Sequence, residues 1–315
     1  MIDVCICTHN PRPGVLKLVL EALAAQTAAP GTFEVLLVDN NSSPAVGEEA
    51  LSPLRAAGIS ARIVREPRTG VAQARFRAIS ETRREWILFV DDDNELDPAY
   101  VEEGLRFVAE HPDVGCLGGK LRLGPGLHPP SWATPFLPYL AVKDAGDRVI
   151  KGISQDWGEW EPPTAGAFVR RDVADAYRRR VAAEPRVLAL GRAGGDGLAS
   201  CEDSLMMRQA LPLGLLNAYD PRLVLVHHIG QGRFRLRYLL RLMFAYGASH
   251  VTLEGLVKGR TEMPGHYRTL RAFWKVLWHQ LKRWRSTSLA FSIAMMGYHW
   301  SARSAYLRSS RGGAA

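Results

Sequence analysis

The sequence predicts an α/β fold, a mostly parallel sheet with helices on both faces, followed by a basic helical C-terminal region. Three observations predict it. Short apolar, β-branched-rich runs alternate with helix-patterned segments through the first part of the chain. Polar clusters stand directly after three of those runs. From Arg233 onward, fifteen Lys and Arg face two acids, Glu254 and Glu262, so this segment is +13 and leaves −5 of the total +8 for the rest.

The strand-like runs are IDVCIC (2–7), FEVLLVD (33–39), ARIVRE (61–66), WILFVD (86–91) and VGCLGG (114–119). Between them lie helical patterns at 14–27, 45–58, 70–83 and 98–111. Pro44 and Pro98 stand where a first helical turn tolerates proline. Residues 122–163 are rich in Pro and Gly and then acidic and aromatic, which predicts an irregular loop over the end of the sheet. A shorter α/β stretch follows, with TAGAFVRRDVADAYRRR, EDSLMMRQALPLG and LVLVHHIG. The rest of the chain reads as helix, with aromatics and aliphatics set among Arg and Lys.

The 315 residues suffice for one large domain, or one domain with an appendage. The composition, 47% apolar and 23% charged, is that of a folded globular chain. Cys5, Cys7, Cys116 and Cys201 form no CxxC pair, which argues for reduced thiols rather than a disulfide framework. MIDVCICTHN has no basic n-region, and SLAFSIAMMGYHW is short for a membrane span. A cytoplasmic location is expected, with peripheral contact to the inner face of the membrane open.

In an open α/β sheet, ligands bind outside the carboxyl ends of the strands. THNPR, DNNSS and DDDNE follow the first, second and fourth runs, so they gather at one edge. Alternation along a strand points Asp91 and Asp93 one way and Asp92 the other. Two carboxylates on one side suit a hard divalent cation with room left for phosphate oxygens. Asp97 before Pro98 suits a helix cap, but a cap does not account for three acids abutting a buried strand. Asp39 with Asn41 can bind a ribose or base, or simply form a turn. Arg75, early in a helix that Gly70 opens, can face a phosphate or the carboxylate cluster. Asp203, after Glu202, can serve as a general base in the cleft, or as an acid favoured at a helix start. His227 and His228 end a strand, where an imidazole can complete a metal shell.

Taken together, VCICTHNPRPGVLKLVLEALAAQ, FEVLLVDNNSS, REPRTGVAQARFRA and WILFVDDDNELDPAY resemble the family 2 glycosyltransferases. VGCLGGKL, TAGAFVRRD, GGDGLASCEDSLMMRQAL and YDPRLVLVHHI continue the likeness over residues 1–232. The resemblance implies the GT-A fold, a Rossmann-like sheet. It implies a catalytic domain at 1–232, with a nucleotide-sugar half (1–121) and an acceptor half (122–232), before the basic region at 233–315. It implies an inverting, metal-dependent hexosyltransferase that moves a sugar from a nucleotide diphosphate-sugar to an acceptor hydroxyl.

Carried over residue by residue, the family's Asp-x-Asp motif matches Asp91, toward the ribose and metal, and Asp93, toward the metal, with Mg²⁺ or Mn²⁺ as cofactor. Thr8, Asn10, Arg12, Asp39, Asn41, Arg75, Asp92 and Gly119 would serve the nucleotide-sugar. Asp203 matches the catalytic base, and His227 or His228 a histidine of the metal shell. Trp132, Gly166 and Glu202 fall on the acceptor side; Trp132, Trp157 and Trp160 can stack on a sugar ring there, or anchor the long loop by packing. Where the family helix commonly has Asn after its arginine, this chain has Phe76.

A UDP-sugar is expected ahead of a GDP-sugar, with a glycan, lipid-linked or small-molecule acceptor. The basic tail suits an anionic membrane surface, a homodimer interface, or a wrap around the catalytic domain. No nucleic-acid module is recognisable. The rival readings are a nucleotidyltransferase, for which CTHNPRPG is a poor Gly-rich loop, and a non-catalytic nucleotide-binding α/β module.

Overall fold

The computed structural model describes residues 1–29, 31–192, 197–259, 262–285 and 287–312. Gly194, Gly195 and Asp196 of the GGDGLAS motif lie outside the described residues.

The first part alternates as expected: β1 (Ile2–Thr8), α1 (Pro13–Ala24), β2 (Phe33–Asp39), α2 (Ser52–Ala56), β3 (Ala61–Arg65), α3 (Val71–Glu81) and β4 (Trp86–Asp91). Then come β5 (Asn94–Leu96), α4 (Tyr100–Glu110) and β6 (Val114–Leu123). They are followed by β7 (Ile150–Gly152), β8 (Ala167–Arg170), α5 (Arg171–Ala183), α6 (Glu202–Met207) and β9 (Leu216–His227). Four helices close the chain: α7 (Leu236–Lys258), α8 (Gly265–Arg268), α9 (Leu270–Lys282) and α10 (Leu289–Gly312).

The strands form one sheet in the order β3-β2-β1-β4-β8-β6-β9-β5, with β7 beside β9. β3, β2, β1 and β4 pair in parallel. β8 runs antiparallel to both β4 and β6, so β6 points with β4, and β9 pairs in parallel with β6. Only β5, β7 and β8 oppose the common direction.

The period-2 alternation explains why these runs became buried strands. In β1, Ile2, Val4 and Ile6 enter one core and Cys5 the other. In β4, Trp86, Leu88 and Val90 face the first core, and Ile87 and Phe89 the second. A sheet buried on both sides reads as a nearly continuous apolar run. α1 and α4 cover the first face; α3 and α5 cover the second. Pro13 opens α1, where its missing N–H is harmless, and Leu16, Val19, Leu20 and Leu23 form its inward stripe.

Several boundaries differ from the sequence reading. The helix expected at 45–58 is a 3-10 turn (Glu48–Leu51) and the short α2, because Asp39 ties the preceding chain into a turn through Ser42 N (3.0 Å) and Val46 N (3.1 Å). Asp97 does not cap α4. It accepts Ala99 N at 3.1 Å one step earlier, and α4 starts at Tyr100 without a side-chain cap. Asn94–Leu96, read as part of a polar cluster, pairs as β5 with the end of β9. The segment 122–163 holds a 3-10 helix (Ser131–Leu140) and β7.

Register sets the strand ends level. Thr8 pairs with Asp39, and Cys7 with Asp91. The C-terminal helices pack onto the α/β body rather than standing apart. Leu253 and Leu256 of α7 enter the second core, and Phe291 of α10 meets Phe136 edge-on at 5.0 Å. α7 and α10 cross where Gly247 has no Cβ; one there would stand 2.2 Å from the Tyr298 carbonyl oxygen. No helix among the described residues is long and apolar enough to cross a membrane.

Candidate active site

The level strand ends open into a cleft of about 790 Å³. Thr8 from β1, Asp91 to Asp93 after β4, Arg75 from α3 and His227 from β9 line it on the sheet side. Glu202 and Asp203 enter from the start of α6, and residues 138–145, Trp157, Glu159 and residues 161–165 add to the lining.

The sequence reading placed Asp92 on the other side from Asp91 and Asp93. In the structure all three acids line the cleft, because β4 ends at Asp91 and the strict alternation ends with it. Asp92 accepts the Thr8 hydroxyl. Burial pushes its carboxyl up to about 6; the Thr8 bond resists this, and Asp93 and Asp91 add to it. Asp91 is raised mainly by burial, against the pull of Arg75. For Asp93, burial is outweighed by the hydrogen bond and charge of His227 and by Arg233 and Arg12, so its carboxyl is held below the usual range.

Arg75 is the buried cation of the site. It donates to Glu202 and to Thr164 Oγ1, and its Nη2 lies 3.7 Å from Asp91. Burial opposes its charge, yet Glu202, Asp91 and Asp203 raise its pKa further. Glu202 also accepts the Tyr177 hydroxyl. Its place is therefore in a buried pair at the cleft wall rather than free on an acceptor surface. Asp203 is only partly buried, and its Oδ1 accepts Ser204 N at 2.9 Å.

The two histidines part company. His227 Nδ1 lies 3.3 Å from the Ala141 carbonyl oxygen, and its Nε2 stands 3.3 Å from Asp93 Oδ1. His228 Nε2 instead meets Glu95 at 2.6 Å, away from the cleft.

Among the described residues, no group of three or more His, Cys, Asp and Glu is arranged to hold a metal by itself. The donor set still fits a hard divalent ion that takes one or two carboxylates from the protein and its remaining ligands from phosphates and water. Asp91, Asp93 and His227 are the oxygen and nitrogen donors that line the cleft together.

The remaining sequence-derived residues fall outside the cleft or on its border. Asn10 and Asn41 adopt positive φ in adjacent turns, and Asn10 Oδ1 accepts Ser43 N at 2.7 Å. Arg12 lies 3.7 Å from Asp93 and donates to the His228 carbonyl. Asp39 is buried, and each of its oxygens accepts one backbone N–H, from Ser42 and from Val46. Gly119 packs against β9, where a Cβ would stand 1.9 Å from the Leu223 carbonyl oxygen. Gly166, at φ +73°, lets Tyr100 and Leu225 approach, and its carbonyl accepts the Tyr100 hydroxyl at 2.6 Å. Trp132 packs with Phe136 under the C-terminal helices.

The sequence reading missed several cleft residues. Lys143 donates to the Glu161 carbonyl at 3.0 Å and lies over the Tyr219 ring. Burial pulls its ammonium down to about 8, with Glu161 and Glu159 acting the other way. Arg233, counted only among the tail's cations, lines the cleft near Asp93. Of the three tryptophans the sequence offered, Trp157 lines the cleft and is exposed, while Trp132 and Trp160 do not line it. Cys201, directly before α6, takes positive φ, which nothing in its residue type announces.

The model of the family described as glycosyl transferase family 2 matches residues 3–178, more than half of the chain. A stretch of 118 residues is 27% identical to an uncharacterized glycosyltransferase of Haemophilus influenzae, covering 37% of each chain. Another of 123 residues is 30% identical to the uncharacterized protein y4gI of Sinorhizobium fredii, covering 38% of this chain and 13% of that one. The chain thus spans well under half the length of these curated relatives. Among solved structures, it is similar to a mannosyltransferase from Pyrobaculum calidifontis in complex with GDP-Man and Mn²⁺, at a TM-score of 0.59 and 15% identity, over 97% of this chain and 86% of that one. It is also similar to S. aureus TarS 1-349 in complex with UDP-GlcNAc, at 0.51 and 14%, over 99% and 92%. At these identities the likeness is one of fold.

Proposed function

The chain belongs to glycosyl transferase family 2, and from that premise we propose that it moves a sugar from a nucleotide diphosphate-sugar to an acceptor hydroxyl with inversion. The observation that carries the reading is that two separate carboxylate stations share one cleft. Asp91 and Asp93 stand at the strand ends, and Asp203 at the start of α6.

The two stations divide the work. Asp203 accepts the proton of the acceptor hydroxyl as its oxygen attacks the anomeric carbon. The glycosidic bond to the diphosphate breaks on the opposite side, so direct displacement inverts the centre. Charge builds on the departing diphosphate, and Lys143 and Arg233 line the cleft where they can meet it. Arg75 gives Glu202 and Asp91 a cationic partner in the cleft wall.

Asp91, Asp93 and His227 would hold Mg²⁺ or Mn²⁺, which supplies Lewis-acid stabilisation of the diphosphate when bound. The Mn²⁺ in the Pyrobaculum complex supports this reading, and the UDP and GDP sugars of the two neighbours support a nucleotide-sugar donor. The acceptor is read as a glycan, a lipid-linked sugar or a small molecule. The test is turnover with UDP- and GDP-sugars and Mn²⁺. Release of nucleoside diphosphate supports the reading. Consumption of a nucleoside triphosphate with pyrophosphate release would replace it with nucleotidyl transfer.

A further inference from the structure

We propose that the outer face of α9 docks on an anionic lipid surface. The helix reads LRAFWKVLWHQLK. Its inward positions are already filled: Phe273 and Leu277 are buried with Tyr267 and Tyr306 of the neighbouring helices. The row Leu270, Trp274 and Trp278, spaced four residues apart on one side, lies outside that buried cluster. These three are 63%, 59% and 59% exposed. On the flank of the buried stripe, Trp300 of α10 stands against Phe273 at 5.8 Å and is 53% exposed.

At 100° per residue, Arg271, Lys275 and Lys282 fall next to the tryptophan row on the exposed side. Lys282 lies over the Trp278 ring at 5.4 Å. α9 contains no acid. A helix with exposed Trp and Leu beside a line of cations suits the interfacial plane of a bilayer. Rings sit at headgroup depth there, and long basic side chains reach the anionic surface.

Charge decides the occupant. The segment from Arg233 onward is +13, so a second copy of the same face would bring like charges together. An anionic bilayer instead meets them with opposite charge. The helix lies on the surface in this account and does not cross it.

The test uses the full chain with vesicles of pure phosphatidylcholine and of phosphatidylcholine with phosphatidylglycerol, read by co-sedimentation and tryptophan emission. Binding to the anionic vesicles only, with a blue-shifted emission and weakening at high salt, is expected. Trp274→Ser with Trp278→Ser should weaken it roughly tenfold or more, and so should Arg271→Gln, Lys275→Gln and Lys282→Gln combined. Should the tryptophan variant fail to fold, the charge variant decides. Three results would overturn the proposal: no binding to anionic vesicles, equal binding to both vesicle types, or a wild-type dimer that the tryptophan variant converts to monomer. Preferential capture of an RNA oligonucleotide over anionic vesicles would overturn it too. None of these readouts depends on sugar transfer, so this proposal and the catalytic one fail separately.

Discussion

Arg75 and Glu202, 127 positions apart, form an ion pair inside the protein, and the same guanidinium lies 3.7 Å from Asp91. One side chain thus fastens α3 to α6 and places a cation beside the carboxylates of the cleft. Tyr177 from α5 closes the arrangement on Glu202.

Removing only the cation leaves Glu202 charged and buried. Arg75→Met should therefore cost about 3–5 kcal/mol of stability in a chemical unfolding titration. Adding Glu202→Gln to Arg75→Met should recover part of that loss, since the remaining group no longer needs a counter-ion. A double variant as unstable as the single one would contradict the ion-pair account.

Asp203 tests the chemistry apart from the fold. Asp203→Asn keeps the shape of the side chain and its acceptor oxygen for Ser204 N, but it cannot take a proton. Turnover should fall by about a hundredfold or more, while the affinity for the nucleotide and the melting temperature stay near wild type. Steady-state kinetics beside calorimetric binding measures both. Full activity in Asp203→Asn would remove it as the base.

Lys143 gives a pH dependence with a definite sign. Burial lowers its pKa from the ordinary 10.5 to about 8, so the folded protein carries this charge below about 8 and loses it above. Affinity for a nucleoside diphosphate should weaken as the pH rises through about 8. Lys143→Arg keeps the charge and should flatten that profile. Stability moves the other way. The folded state resists protonating this lysine, so its contribution improves as pH rises from about 8 toward 10.5. Binding and unfolding measured across that range should trend in opposite directions.

Gly119 separates a packing glycine from a binding one. A methyl there would press on the Leu223 carbonyl of β9. Gly119→Ala should therefore lower stability by about 1–3 kcal/mol and leave the KM for the donor unchanged in the surviving folded fraction. A raised KM at unchanged stability would return Gly119 to the nucleotide site.

The fate of Gly119 illustrates what local pattern carries and what it does not. β1, β2 and β4 were legible because their residues are buried on both faces, and a run of apolar residues records that directly. The acids after β4 were legible because they abut such a run. Their orientation was not, since the alternation that predicts it stops at Asp91. The Arg75–Glu202 pair joins segments far apart in sequence, and no local signal announces it. Asp39 anchors a turn, one of the two uses its sequence context offered and one that the adjacent Asn and Ser residues also favour. Lys143 and Arg233 were hidden for opposite reasons, one in an irregular loop and one among many cations of the tail.

The central claim, that Asp93 helps hold a divalent ion on a nucleoside diphosphate, is tested most directly by calorimetric binding of UDP and GDP with and without Mn²⁺, in wild type and in Asp93→Asn. The account predicts that Mn²⁺ tightens the binding of at least one of the two by about fivefold or more in wild type, and that Asp93→Asn loses this gain. Equal Mn²⁺ enhancement in both proteins, or no binding of either nucleotide under any condition, would contradict it.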